Sequence, residues 1–350
     1  MTRTIRWKIT ARLVAWLILA TTSTLWAQGG DPNYKPRRIN KMIELLEDGQ
    51  TVFDVNVSGA GYEEGKKLAQ HHADLIQYEM EHGPVDFLRL REFMQGLVDG
   101  GPTKSGHRTP TVIVTTPFIG IDAVSVRANF WVVEQILSSG VHGLMLIHAR
   151  NAEVVREFVR CARYQFSRPG LKDQEIAEGL RGNGGQAFPA RIWGVSTIEY
   201  TEKADPWPMN PNGELILSLK MEDKHVLPNI DEITKVQGIA WGEWGPTDQS
   251  MSIKGLDYLK QIHGRSGTVG RAGAVSASTM GLPPTGDPEL EAARTRIMKA
   301  MMANNIAPLH SSTDDNVIDL IKAGVRVTHA GNNTVRTNKA REFQKRKMPY

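Results

Sequence analysis

The feature that most restricts the fold of this chain is a rhythm: short apolar runs alternate with segments of helical spacing almost from end to end. The strand-like runs are 51–57, 74–79, 111–116, 143–148, 214–220, 239–244, 306–310 and 325–330. The first alternates apolar with polar residues, as a half-buried strand does, whereas the third is nearly continuous, as a strand covered on both faces is. Pro117 is expected to stop that third strand. Helices are expected over 39–46, from Gly59-Ala60-Gly61 to about His72, and over 86–97, 122–137, 152–164, 227–236, 288–304 and 313–323. Asp122 is placed to cap one of them and Gly140 to end it; Thr313 or Asp314 is placed to cap another. Eight such units argue for a (β/α)8 TIM barrel over an open doubly wound sheet. No Gly-x-Gly-x-x-Gly follows the first strand, which removes the main mark of a dinucleotide fold. Two long irregular insertions interrupt the rhythm. One is 165–213, in which 190–198 reads as an extra strand; the other is about 252–284, glycine-rich and suited to a lid or arm.

Composition narrows the class further. The chain has 350 residues and a formal charge of +4. Much of the basic excess lies at the ends, in Arg3, Arg6, Lys8 and Arg12 and in Lys339, Arg341, Lys345, Arg346 and Lys347, so no nucleic-acid surface is expected. The single cysteine, Cys161, excludes an intrachain disulfide and a cysteine-rich metal site, and reads as a packing residue on a helix. Residues 1–27 read as a signal peptide: a basic start, the apolar run Leu13–Ala20, then Leu25-Trp26-Ala27. The run is shorter than the about 20 residues a membrane span takes, so no stable membrane insertion is expected after cleavage, an uncleaved anchor being the alternative. The expected organisation is a signal over 1–27, a linker over 28–38, the barrel over 39–335 and a basic C-terminal tail over 336–350, in an exported protein, periplasmic or secreted.

In such a barrel the chemistry collects where strands end. The second strand ends in Glu79-Met80-Glu81-His82-Gly83-Pro84, two carboxylates and an imidazole before a forced turn. The other ends offer Thr115 and Thr116, His148 and Arg150, Lys220 with Glu222 and Asp223, Gly245-Pro246-Thr247-Asp248, His310 and His329. Glu222 and Asp248 form a candidate hard-cation pair, for which oxygen ligands and open positions suit Mg²⁺ or Mn²⁺. Asp223 and Asp248 also precede helix starts, so a capping role stands beside the metal role for each. His148 and His310 read either as mouth residues or as structural hydrogen-bonders.

Glu81-His82-Gly83-Pro84, Arg181-Gly182-x-Gly184, Glu222 ahead of Asn229-Ile230-Asp231-Glu232-Ile233, and Gly245-Pro246-Thr247-Asp248-x-Ser250 together resemble the HpcH/HpaI aldolase and citrate lyase family, over roughly residues 38–335. The resemblance implies a (β/α)8 barrel, a divalent metal (Mg²⁺ or Mn²⁺, with Co²⁺ as a third option), and carbon–carbon cleavage or formation through a pyruvate-type enolate. It implies a small oxo or hydroxy acid as substrate and a homo-oligomer. Carried over by position, Glu222 and Asp248 are the metal ligands, His82 is the acid/base and Glu79 orients it. Gly245, Pro246 and Thr247, with Arg181, fall among the substrate-binding positions.

Two departures stand out. The family's arginine at the end of the third strand is replaced by Thr115, which has no charge to polarise a carbonyl. Lys220 stands where the family has glutamine, on the same strand face as Glu222. Lys220 is therefore expected either to supply the missing positive charge or to pair with Glu222 or Asp223. A Schiff-base role is disfavoured, because neighbouring carboxylates keep the ammonium protonated. The leading expectation is a metal-dependent lyase. Another enolate-forming lyase or hydrolase on the same barrel, and a non-catalytic exported carboxylate-binding protein, are the alternatives.

Overall fold

The computed structural model describes residues 29–171, 176–256 and 287–350. The predicted signal segment and the core of the glycine-rich second insertion lie outside those residues.

Eight parallel strands close into a barrel: β1 (Val52–Ser58), β2 (Leu75–Glu79), β3 (Thr111–Ile119), β4 (Gly143–Ile147), β6 (Leu215–Lys220), β7 (Ile239–Glu243), β8 (Ala307–Leu309) and β9 (Val327–His329). Closure comes from β4 pairing with β6, Gly143 opposite Ile216. The two-residue β5 (Pro206–Trp207) adds only a short edge at the start of β6. Helices separate the strands, as the hydrophobic periods predict, so the (β/α)8 TIM barrel expected from the sequence is the fold observed.

The strands alternate, apart from register shifts in β3 and at the start of β7. Outward residues such as Ile76, Tyr78, Val112, Val114, Leu144, Leu217 and Leu219 are buried beneath the helices. Inward residues Val52, Leu75, Ile113, Ile216, Trp241 and Val327 form a separate apolar plug. Helix Lys41–Glu47 closes this end of the barrel, with Met42, Ile43 and Leu45 wholly buried against the plug. Asn40 starts that helix by accepting from the backbone N–H groups of Met42 and Ile43. Burial of each such side chain contributes about 1.5–3 kcal/mol. Period two then fixes what lies above the plug: Asp54, Gln77, Glu79, Thr115, Ser218, Lys220, Glu243 and His329 share its strand faces. The barrel is thus apolar where strands begin and charged where they end.

Four local expectations need correction. β3 runs through Pro117 to Ile119, because its register shifts between Thr115 and Ile119 and the missing N–H falls where the ladder is already interrupted. The expected strand over 190–198 is instead two helices, Ala187–Trp193 and Thr197–Lys203. Gly194, at φ 74°, ends the first, and the Ser196 hydroxyl accepts from Glu199 N–H to start the second. The helix expected over 122–137 breaks at Asn129 into Ala123–Ala128 and Phe130–Leu137, although Asp122 does cap it. The helix expected from Thr313 begins only at Val317, Thr313 and Asn316 exchanging hydrogen bonds ahead of it.

The basic C-terminal segment forms helix Val335–Phe343 and turns back under the barrel. Buried Asp74, just before β2, is gripped by Lys41, Arg341 and Arg346 at 2.9, 3.2 and 2.9 Å. Cys161 is fully buried, and burial pushes its thiol up to about 12, in keeping with a packing role. Among the described residues no helix is long and apolar enough to cross a membrane.

Candidate active site at the barrel mouth

Glu222 stands two residues beyond the end of β6 and is completely buried. Neither of its carboxylate oxygens has a hydrogen-bond partner among the described residues. Burial, with a smaller contribution from Glu81 and against the pull of Lys220, pushes its pKa up to about 8. A buried carboxylate with both oxygens free is costly unless something is meant to meet it. Gly245 explains how it is housed: a Cβ there would overlap Oε2 and Cβ of Glu222. Gly245 is also the N-cap of helix Pro246–Lys254, with Pro246 in its first turn.

Around this carboxylate stand Glu81, Lys220, His148, Asp223 and Arg150. Lys220 Nζ lies 2.6 Å from Glu81 Oε2 and 3.7 Å from Glu222 Oε2. Burial works against the Lys220 charge, but Glu243, Glu222 and Glu81 outweigh it and hold the group as an ammonium. His148 Nε2 lies 3.7 Å from Glu222 Oε1. Asp223 Oδ2 accepts from Arg150 Nε at 2.8 Å and stands 3.3 Å from His148 Nδ1, too poorly aligned for a hydrogen bond. Burial would raise Asp223, but His148 and Arg150 bring its pKa down to about 2. Glu81, His148 and Glu222 each offer one donor atom, all within 4.8 Å of one another.

The residues singled out by sequence, Arg181 excepted, come together at this mouth, with revised roles. His82 is on the rim, 73 % exposed, its Nε2 3.4 Å from Glu81 Oε1. Glu79 does not orient that ring; its Oε1 accepts from the backbone N–H groups of Glu81 and His82, because the loop wraps over the last side chain of β2. Glu81 is the carboxylate nearest the imidazole. Thr115 is buried on β3 in register with Glu79 and Met145. Asp248 lies in the first turn of the helix that Gly245 caps, half-buried and outside the tight three-residue cluster; behind Asp223 and Glu222, it adds to the negative field that raises the His148 pKa. Thr247 is exposed in the same turn. Lys220 pairs with Glu81 and Glu222, one of the two roles expected for it.

Arg181 requires a correction: it is not at the mouth. Its guanidinium is buried over the Tyr164 ring and donates to the Tyr164 and Tyr200 hydroxyls. Tyr200 in turn donates to Leu137, at the end of the helix that leads into β4, so Arg181 sits where strands begin and has a packing role. His310 is held by the Ser311 carbonyl at 2.8 Å and Arg294 at 3.3 Å.

Sequence reasoning missed an inner charged layer. His329 Nδ1 lies 3.0 Å from Asp54 Oδ2, and Gln77 donates to the same oxygen at 2.6 Å. Asp54 raises the His329 pKa to about 9. Glu243 faces this pair and Lys220, its own pKa raised by burial. The signal was present: Asp54 and Glu243 are charged residues at inward positions of otherwise apolar strands.

A closed parallel barrel with a buried carboxylate at an acid/base-rich mouth has the arrangement of a barrel enzyme's active site, and its aldolase relatives make its class that of the lyases. No protein-family model matches the chain. The hydroxypyruvate/pyruvate aldolase of Roseobacter denitrificans is 25% identical over 226 residues, 65% of this chain and 73% of the relative. The 2-keto-3-deoxy-L-rhamnonate aldolase of Salmonella gallinarum is 30% identical over 214 residues, 61% of this chain and 67% of the relative. An HpcH/HpaI aldolase/citrate lyase family protein from Burkholderia cenocepacia has the same fold, with a TM-score of 0.58 at 18% identity over 87% of this chain and 97% of that one. The chain belongs to the HpcH/HpaI aldolase/citrate lyase family.

Proposed function

We propose that the chain is a divalent-metal-dependent carbon–carbon lyase acting on a small oxo or hydroxy acid through an enolate. The observation that carries this reading is Glu222, wholly buried beside the N-terminus of helix Pro246–Lys254 with neither oxygen hydrogen-bonded among the described residues. That donor set fits a hard cation such as Mg²⁺, Mn²⁺ or Co²⁺, with Glu222 and Asp248 as its holders. When bound, the cation supplies the positive charge that stabilises an enolate. The rest falls to the chain. Gly245 leaves room for the carboxylate, and the free backbone N–H groups of the following turn favour an anion. His82, exposed on the rim and beside Glu81, takes or returns the substrate hydroxyl proton. Lys220 keeps Glu81 and Glu222 from repelling one another.

Thr115 favours a second reading in one respect. Its uncharged, buried hydroxyl cannot do what an arginine does there, so another enolate-forming lyase or a hydrolase on the same barrel remains the competitor.

The test is a thermal-denaturation series with Mg²⁺, Mn²⁺ and Co²⁺, with and without oxalate, followed by assay of aldol cleavage and formation with pyruvate and hydroxypyruvate. Metal should raise Tm, oxalate should raise it further, chelation should abolish turnover, and Glu222→Gln should lose both effects. Turnover indifferent to chelator would overturn the reading. Export is read from the first 27 residues and is checked by N-terminal sequencing of the protein recovered outside the cytoplasm. A homo-oligomer is supported by Leu88 and Trp131, exposed on helices joined by the Phe87–Trp131 ring contact, and is checked by light scattering.

A further inference from the structure

Resting on the metal-dependent reading above, we propose that His148 supplies a nitrogen ligand to the cation at this mouth, with Asp223 and Arg150 as its positioning residues. The site would then bind Mn²⁺ or Co²⁺ in preference to Mg²⁺.

The argument begins with what is left unclaimed. Glu222 is buried with both oxygens free, and His148 Nε2 faces one of them at 3.7 Å, beyond hydrogen-bond reach. Two donors each about 2.1 Å from one ion stand about 3.0 Å apart at a right angle and about 3.6 Å apart at 120°. The observed 3.7 Å is close to the wider of these separations, so one ion can bridge the two donors with little movement. Glu81, the third member of the cluster, is already engaged by Lys220 at 2.6 Å, which leaves the imidazole as the free partner.

The surroundings of His148 are those of a ligand histidine. A metal-bound imidazole nearly always turns its other nitrogen to a carboxylate or carbonyl, which fixes the ring. Here Nδ1 stands 3.3 Å from Asp223 Oδ2 without a hydrogen bond, and the ring would turn to donate to that oxygen on ligation. Asp223 is itself fixed by Arg150 Nε at 2.8 Å and by the His225 backbone N–H at 2.8 Å. The His148 backbone has φ 50°, an uncommon conformation for a residue other than glycine, and its ring lies between Glu222 and Asp223. Imidazole is a better donor to Mn²⁺ and Co²⁺ than to Mg²⁺, which prefers oxygen and retains its waters.

The experiment uses the full chain loaded with Mn²⁺, read by electron spin-echo envelope modulation, with calorimetry for Mn²⁺, Co²⁺ and Mg²⁺. Wild-type protein should show nitrogen modulation from a coordinated imidazole, lost in His148→Ala and in His148→Asn, the second chosen because asparagine tolerates positive φ. Affinity for Mn²⁺ and Co²⁺ should fall about tenfold or more in both variants, and Mg²⁺ affinity should change less than about twofold. Asp223→Asn should weaken Mn²⁺ while keeping the nitrogen signal. Mn²⁺ binding that depends on Glu222 but shows no nitrogen, or nitrogen that survives both His148 variants, would overturn the inference and leave the lyase reading standing. Absence of any Mn²⁺, Co²⁺ or Mg²⁺ binding would overturn both.

Discussion

Gly245 and Glu222 occupy the same small volume: the carboxylate of one fills the space that any side chain on the other would need. The contact joins the end of β6 to the start of helix Pro246–Lys254, so the carboxylate and the helix N-terminus are set as a unit. Gly245→Ala should therefore displace the carboxylate rather than merely crowd the loop. Its cost to stability should be about 1–3 kcal/mol, and Mn²⁺ affinity should fall by at least about tenfold. Calorimetry beside a urea melt checks both; unchanged metal affinity in a destabilised variant would show that the glycine matters only for packing.

Lys220 neutralises a cluster that includes Glu81, Glu222 and Glu243. Lys220→Met removes that charge at similar length. Turnover should drop by about a hundredfold or more, the scale of removing one electrostatic stabiliser from an active site. Metal affinity should be retained or rise, because the ammonium no longer competes for Glu222. Borohydride with substrate should trap no adduct on the wild-type lysine. Steady-state kinetics and metal titration separate this outcome from simple unfolding.

Asp74 is the anchor of the opposite end. Asp74→Asn strands three buried cations, Lys41, Arg341 and Arg346, and should cost about 3–5 kcal/mol in a urea melt. Burial opposes its charge, but the three cations hold its pKa well below the ordinary carboxylate value. Its contribution is thus full above the unfolded value of about 3.9 and is lost only as pH falls through the depressed folded value.

Histidines shape the milder pH range. Burial holds His142 down to about 3 and His71 down to about 4, so between there and the unfolded value near 6.5 the unfolded chain binds more protons and stability rises with pH. His329 works oppositely. Asp54 lifts it to about 9, so its contribution is complete below about 6.5 and is lost as pH climbs to about 9. Urea midpoints across pH should form a dome, and His329→Gln should flatten its alkaline side.

The barrel and most of the mouth are legible in the sequence because both obey short periods. Strand alternation identifies the core, and strand ends identify Glu222, Lys220 and His82 without further information. What escapes is what depends on partners distant in sequence. Arg181 looks like an active-site arginine until Tyr164 and Tyr200 are found around it. Glu79 looks like the orienter of His82 until the loop backbone claims its oxygen. The stretch 190–198 has strand-like composition, but a left-handed Gly194 and a capping Ser196 turn it into helix ends. Asp54 and Glu243 were visible as letters, yet only closure of the barrel brings them face to face with His329 and Lys220.

Among the described residues, the apolar stopper formed by helix Lys41–Glu47 closes the end of the barrel where strands begin and leaves open the end where they finish. Reactants arrive and fragments depart through the same opening. With the cleavage proposed above, a fragment that lingers at that mouth competes with the next substrate for the same space.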